Sequence, residues 1–225
     1  MTPVRSHEVR IPAAGATLDG TLELPERARG LVIFAHGSGS SRHSPRNRTV
    51  ASALHQAEIG TLLFDLLTPE EDRERAARFD IPHLARRLAQ ATAWTRLEPA
   101  TRALPVAYFG ASTGAAAALV AAAQPHAGIA SVVSRGGRPD LAGAAALAKV
   151  AAPTLLVVGG DDTAVIAMNR QALAAMTCAA RLVIVPRATH LFEEPGTLEQ
   201  VAVVARDWFR GHFDAPAAAA QAVPH

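Results

Sequence analysis

Short apolar runs that alternate with helical stretches, and one serine flanked by glycines where a run meets a helix, predict an α/β protein on a mostly parallel, doubly wound sheet. The runs are GLVIFAHG (30–37), GTLLFDL (60–66), LPVAYFG (104–110), IASVVS (129–134), PTLLVVGG (153–160) and RLVIVP (181–186). Each is rich in Val, Ile and Leu without polar alternation, as suits a parallel strand buried on both faces. Helical patterns fall between them at 46–57, 81–96, 114–123, 164–176 and 196–212. The beginning of the chain differs: HEVRI and TLDGTLELP alternate apolar with polar residues and are split by PAAGA, an antiparallel, hairpin-like start.

The chain has 225 residues, enough for one sizeable core, and no internal repeat. One domain is expected over 4–213, followed by a disordered Ala/Pro-rich tail at 214–225. A net charge of +2, with Lys149 the only lysine and no basic stripe interleaved with aromatics, argues against nucleic acid or an anionic membrane as partner. Cys178 is the only cysteine, so an intramolecular disulfide and a CxxC site are excluded; in AAMTCAARLVIV it reads as a small apolar residue near a helix end. No His/Asp/Glu cluster has metal-ligand spacing, so no metal and no cofactor are expected. The first residues lack an apolar stretch of signal-peptide length, and the most apolar run, 115–123, falls far short of the ~20 residues of a membrane span. The expected compartment is the cytoplasm.

Function turns on YFGASTGAAAALVAAA (108–123). Tyr108 and Phe109 end a buried strand and Gly114 opens a helix, so Ser112 falls on the turn between them. A strand-to-helix turn this sharp crowds the backbone on either side of its central residue, and Gly110 and Gly114 keep Cβ atoms out of that space. The helix N-terminus adds unpaired N–H groups and a positive dipole end beside the serine. A serine hydroxyl becomes a nucleophile only with a base to take its proton, and the base needs an acid to hold its tautomer. After TLLVVGG come Asp161 and Asp162, and after RLVIVPRA come Thr189 and His190. Of the nine histidines, only His190 combines the right chain order with a loop that follows the final strand. Asp162 is the preferred acid, with Asp161 shaping the turn and standing as the alternative; Asp162 is also placed to cap the helix that begins near residue 164.

The stretches FAHGSGSS, YFGASTGAAAAL, PTLLVVGGDD and PRATHLFEEPG together resemble an α/β-hydrolase, and within that fold the dienelactone-hydrolase-related group of small enzymes without a lid. The resemblance implies a triad of Ser112, Asp162 and His190. Dienelactone hydrolases proper carry a cysteine nucleophile, so Ser112 at the elbow implies a serine esterase instead. By resemblance to the His-Gly-x loops of this fold, the oxyanion hole is assigned to the N–H groups of Ser38 and Thr113. GSGSSRHS lacks the Lys-Ser/Thr of a phosphate-binding loop, which argues against a nucleotide, and His36 is expected to brace the turn.

The segment from Ser134 to Asp161 is too short for an inserted cap domain, so the site should be open. LTPEEDRERAARFDIPH, after the fourth strand, reads as a solvated helix with i,i+4 ion pairs. In SRGGRPDL, Arg135 or Arg138 could face the crevice and suit a carboxylate-bearing ester. Asp65, which ends LLFD, is expected to be structural. The expected partner is a small-molecule ester; a homodimer stays open. The same triad serves thioesterases, acyltransferases and C–C hydrolases, and a non-catalytic binding module on this fold is the reading from another class.

Overall fold

The computed structural model describes residues 3–13 and 15–214. Its strands are β1 (Val4–Ala13), β2 (Ala16–Pro25), β3 (Leu31–Ala35), β4 (Gly60–Phe64), β5 (Val106–Ala111), β6 (Ile129–Arg135), β7 (Thr154–Gly159) and β8 (Ala180–Val185). They form one sheet in the order β1-β2-β4-β3-β5-β6-β7-β8. β1 pairs antiparallel with β2, and β2 with β4; from β4 to β8 every neighbour is parallel. The helices are α1 (Pro45–His55), α2 (Ile81–Thr95), α3 (Thr113–Ala122), α4 (Ala144–Leu147), α5 (Thr163–Ala175) and α6 (Thr197–Phe213). This is the α/β-hydrolase fold expected from the sequence. Between β6 and β7 there is room only for a 3-10 turn (Pro139–Ala142) and α4, so no cap domain is inserted there.

The uninterrupted apolar runs have the cause that the sequence suggested. In β3, Leu31, Ile33 and Ala35 enter the core under α2 and α3, while Val32 and Phe34 enter the core under α1 and α6. β5 divides in the same way, with Val106 and Tyr108 on one face and Ala107 and Phe109 on the other. With helices on both faces of the sheet, every side chain of β3 is buried and apolar. Phe34 and Phe109, paired in register, bring their rings to 4.8 Å. α3 is apolar on every side and almost wholly buried, which is why it is made of alanine: it lies between the sheet and α2 with no solvent face. The one tyrosine, Tyr108, is a core residue whose hydroxyl meets that of Thr92 at 2.7 Å, and burial pushes its phenol up to about 12.

Two expectations change. RLVIV (181–185) is not buried on both faces: β8 is the sheet's edge, and Ile184 is exposed. The segment after β4 is not a helix with i,i+4 pairs. It forms two 3-10 turns, Glu71–Arg73 and Ala77–Phe79, because Asp80 caps α2 and ends the segment there. Its charges bond at longer range: Arg78 forks onto the Asp72 carboxylate, and Glu71 reaches Arg87 of α2 at 2.8 Å. Cys178 lies three residues past the end of α5 and half-buried, near a helix end as expected. Beyond Asp214 the expected tail lies outside the described residues. Among the described residues no helix is long and apolar enough to cross a membrane, and no group of three or more His, Cys, Asp or Glu side chains is arranged to hold a metal ion.

Candidate active site

Ser112 stands between β5 and α3 with φ 51° and ψ −119°, a backbone conformation that a side-chain-bearing residue adopts only under constraint. The constraint is visible on both sides. A Cβ on Gly110 would collide with Ala115 Cα, and one on Gly114 with the carbonyl oxygens of Ala35 and His36. Ser112 N–H donates to Arg135 O and Ser112 O accepts from Arg138 N–H, each at 3.1 Å, so the segment after β6 clamps the turn. The helix begins at Thr113, one residue earlier than the sequence suggested.

Asp162 and His190 lie on the loops after β7 and β8. His190 Nδ1 and Asp162 Oδ2 are 2.7 Å apart. Asp162 does occupy the N-cap position of α5, but its carboxylate makes no capping bond; it is turned to the histidine. Asp161 is exposed and contributes its backbone, whose N–H donates to Ala188 O and ties the two loops together. The His190 ring lies beside Gly136, where the first carbon of a side chain would stand 3.5 Å from Cε1. Gly136 follows Arg135, whose carbonyl holds Ser112, so acid, histidine and serine converge on one corner of the sheet. Among the described residues Nδ1 is the only His190 ring nitrogen with a hydrogen-bond partner; no bond joins the ring to Ser112 Oγ.

A residue that sequence reasoning missed holds the histidine loop. Glu194 accepts from Thr189 N–H at 3.0 Å and from the Thr189 hydroxyl at 2.6 Å. Those bonds hold its carboxyl below the usual range. The acidic pair in THLFEEPG, three and four residues after the histidine, was the available signal. Phe192, with φ 58°, is buried under the same loop.

The two arginines assigned to substrate are placed differently from each other and from expectation. Arg138 is forked onto Asp140 at 2.9 and 2.7 Å and presents no free guanidinium. Arg135 is 7% exposed and packs against Phe192, its guanidinium carbon 5.9 Å from the ring centroid. Burial, and then the charge of Arg46, push its guanidinium down to about 10. Its Nε and Nη1 have no partner among the described residues.

On the other side of Ser112, the loop after β3 is braced as expected. His36 Nδ1–H donates to Gly37 O at 3.0 Å, and Nε2 accepts Leu66 N–H at 3.1 Å. Asp65 is structural, accepting from both the N–H and Nη1 of Arg42. Ser38 is exposed, yet its N–H is not free: it donates to Thr113 Oγ1 at 2.9 Å. A narrow cleft beside that pair, walled by Leu67, Leu84 and Arg78, shares His36, Leu67 and Asp72 with a cavity of about 220 Å³. The segment expected to be a solvated helix therefore walls this crevice, with Thr68, Pro69 and Asp72.

His36 carries a testable consequence. Burial disfavours the charged ring and pushes it below its ordinary 6.5, and the neutral ring accepts the Leu66 N–H. The unfolded chain takes up the proton first, so stability is full above pH 6.5 and declines as pH falls toward the folded value. The melting temperature should fall between pH 7 and pH 5, and more steeply than that of His36→Gln, in which only other groups, such as half-buried His55, still titrate. Equal slopes would show that His36 titrates alike folded and unfolded.

Comparison with known proteins agrees with the fold. A family model described as an alpha/beta hydrolase domain matches residues 28–201. The crystal structure of a dienelactone hydrolase from Anabaena variabilis superposes with a TM-score of 0.90 at 55% identity, covering 93% of this chain and 98% of that one. Est1E from Butyrivibrio proteoclasticus shares the fold, with a TM-score of 0.77 at 16% identity over 91% of this chain and 98% of its own. A Mycobacterium tuberculosis protein, provisionally named a phosphoribosyl transferase, is 58% identical over 214 residues, which are 95% of this chain and 48% of that protein. The chain thus spans about half the length of the curated relatives it matches.

Proposed function

The chain belongs to the alpha/beta hydrolase domain family, and from that premise we propose that it hydrolyses small to medium carboxylic esters through an acyl-enzyme on Ser112. The observation that carries this reading is the 2.7 Å contact of His190 Nδ1 with Asp162, which leaves Nε2 as the ring's free nitrogen next to the strained serine turn. Asp162 holds the imidazole with its proton on Nδ1, and Nε2 is then basic. Ser112 Oγ attacks the acyl carbon and passes its proton to Nε2, and Thr113 N–H stabilises the oxyanion. The tetrahedral adduct collapses, the C–O bond to the alcohol breaks, and the alcohol leaves with the proton from His190. Water then gives a proton to Nε2 and attacks the acyl-serine; the acid departs and Ser112 recovers its proton.

The transferase name of the Mycobacterium relative belongs to a protein about twice as long as the part shared with this chain, and the hydrolase family match falls within that shared part. Wild-type protein incubated with p-nitrophenyl acetate and butyrate should release p-nitrophenol with a burst equal to the enzyme concentration, or with steady turnover where deacylation is fast. No release from any neutral ester would sink the esterase reading.

A further inference from the structure

The bond between Ser38 N–H and Thr113 Oγ1 changes what the oxyanion hole consists of. A backbone N–H carries one proton, and that of Ser38 is already donated, at 2.9 Å, to the threonine hydroxyl. A hydroxyl accepts and donates at once. Thr113 is 3% exposed, and its hydroxyl proton has no acceptor among the described residues. A buried donor left unused beside the nucleophile is a group waiting for a ligand atom. The hydroxyl borders the narrow cleft next to Ser38, whose volume of about 10 Å³ is oxygen-sized. Thr113 also opens α3, so its backbone N–H is one of those that the helix leaves without a partner. Gly37 brings this loop against the serine: a Cβ there would stand 3.1 Å from that of Ser112.

We propose that the Thr113 side chain is a catalytic group in its own right, the second donor of the oxyanion hole, which carries the polarity of the Ser38 N–H to the substrate oxygen. The inference rests on the ester-hydrolase reading above. The donor chain runs Ser38 N–H to Thr113 Oγ1, and Thr113 O–H to the carbonyl oxygen of the substrate. No proton changes owner. As negative charge gathers on that oxygen, the hydroxyl bond strengthens, and the Ser38 N–H behind it offsets the polarisation of Oγ1. Thr113 thereby supplies both donors, one from its backbone and one from its side chain, and Ser38 acts through it as a positioning residue.

Thr113→Val keeps the shape and removes the hydroxyl; Thr113→Ser keeps the hydroxyl and removes the methyl. With p-nitrophenyl butyrate, Thr113→Val should lose roughly 10- to 100-fold in kcat, at or below the cost of deleting one oxyanion donor, with KM within about twofold. Affinity for a butyl trifluoromethyl ketone, which forms a tetrahedral adduct on the serine, should fall by the same factor. Thr113→Ser should restore kcat and ketone affinity to within about threefold of wild type. If Thr113→Val does not fold, Thr113→Ala takes its place against Thr113→Ser. A hydroxyl-free variant at or above the wild-type rate would overturn the proposal, since the hydroxyl would then only block the Ser38 N–H. So would Thr113→Ser as slow as the hydroxyl-free variant, which would make the methyl's packing the cause. A folded wild-type protein that takes no fluorophosphonate on Ser112 would instead overturn the esterase reading itself, and this proposal with it.

Discussion

Ser112→Ala leaves the protein without a fluorophosphonate adduct and lowers ester turnover by at least about 10⁴-fold, whereas the wild type gains one adduct by intact mass. The size of the effect follows from the elbow. Its backbone strain is already present in the resting fold, held by Gly110, Gly114 and the two bonds to the segment after β6, so no rearrangement precedes attack. Removing the hydroxyl takes away the nucleophile and leaves the fold, because the side chain makes no hydrogen bond on which the turn depends. A melting temperature within a few degrees of wild type should accompany the loss. An adduct that persists on Ser112→Ala, or activity that survives, would move the nucleophile elsewhere.

Asp162→Asn should cost about 10³- to 10⁴-fold in kcat, and Asp161→Asn less than about twofold. The two aspartates are adjacent and chemically identical, and only their surroundings separate them. Asp162 is in contact with His190 Nδ1 at 2.7 Å; Asp161 meets the histidine loop through its backbone N–H alone, and asparagine preserves that bond. An asparagine at 162 can present its amide to Nδ1 and favour the tautomer with the proton on Nε2, which cannot take the serine proton. Comparable losses at both positions would show that the charge of the pair, and not the single contact, supports the imidazole. A steady-state pH profile separates the cases, since the Asp162 variant should lose its neutral-pH plateau and the Asp161 variant should keep it.

These results depend unequally on what could be read from the chain. The elbow was legible because its chemistry is local: a serine needs two glycines within two residues and a helix directly after it, and all of that is contiguous. His190 was legible because it follows a strand whose period and length mark it. The charged segment after β4 was misread because i,i+4 spacing describes only a helix, and Asp80 with Pro82 gives the helix to the next segment. Arg135 and Arg138 sit three residues apart with the same side chain, yet one is buried against Phe192 and the other is paired with its own neighbour Asp140. Nothing in their spacing tells the two apart.

The amino-acid order by itself determined the sheet's make-up and the turn that carries Ser112, because apolar periodicity and glycine placement act over a few residues and need no partner. That the Ser38 N–H is donated to Thr113 Oγ1, which of two aspartates faces the imidazole, and that Glu194 pins the histidine loop were decided only by the tertiary structure. Each of these is a contact between segments brought together by the parallel sheet, such as Ser38 with Thr113 or Asp162 with His190. A difference of one bond angle or one side-chain rotation selects among them, and the sequence carries that information only through the packing of the whole fold.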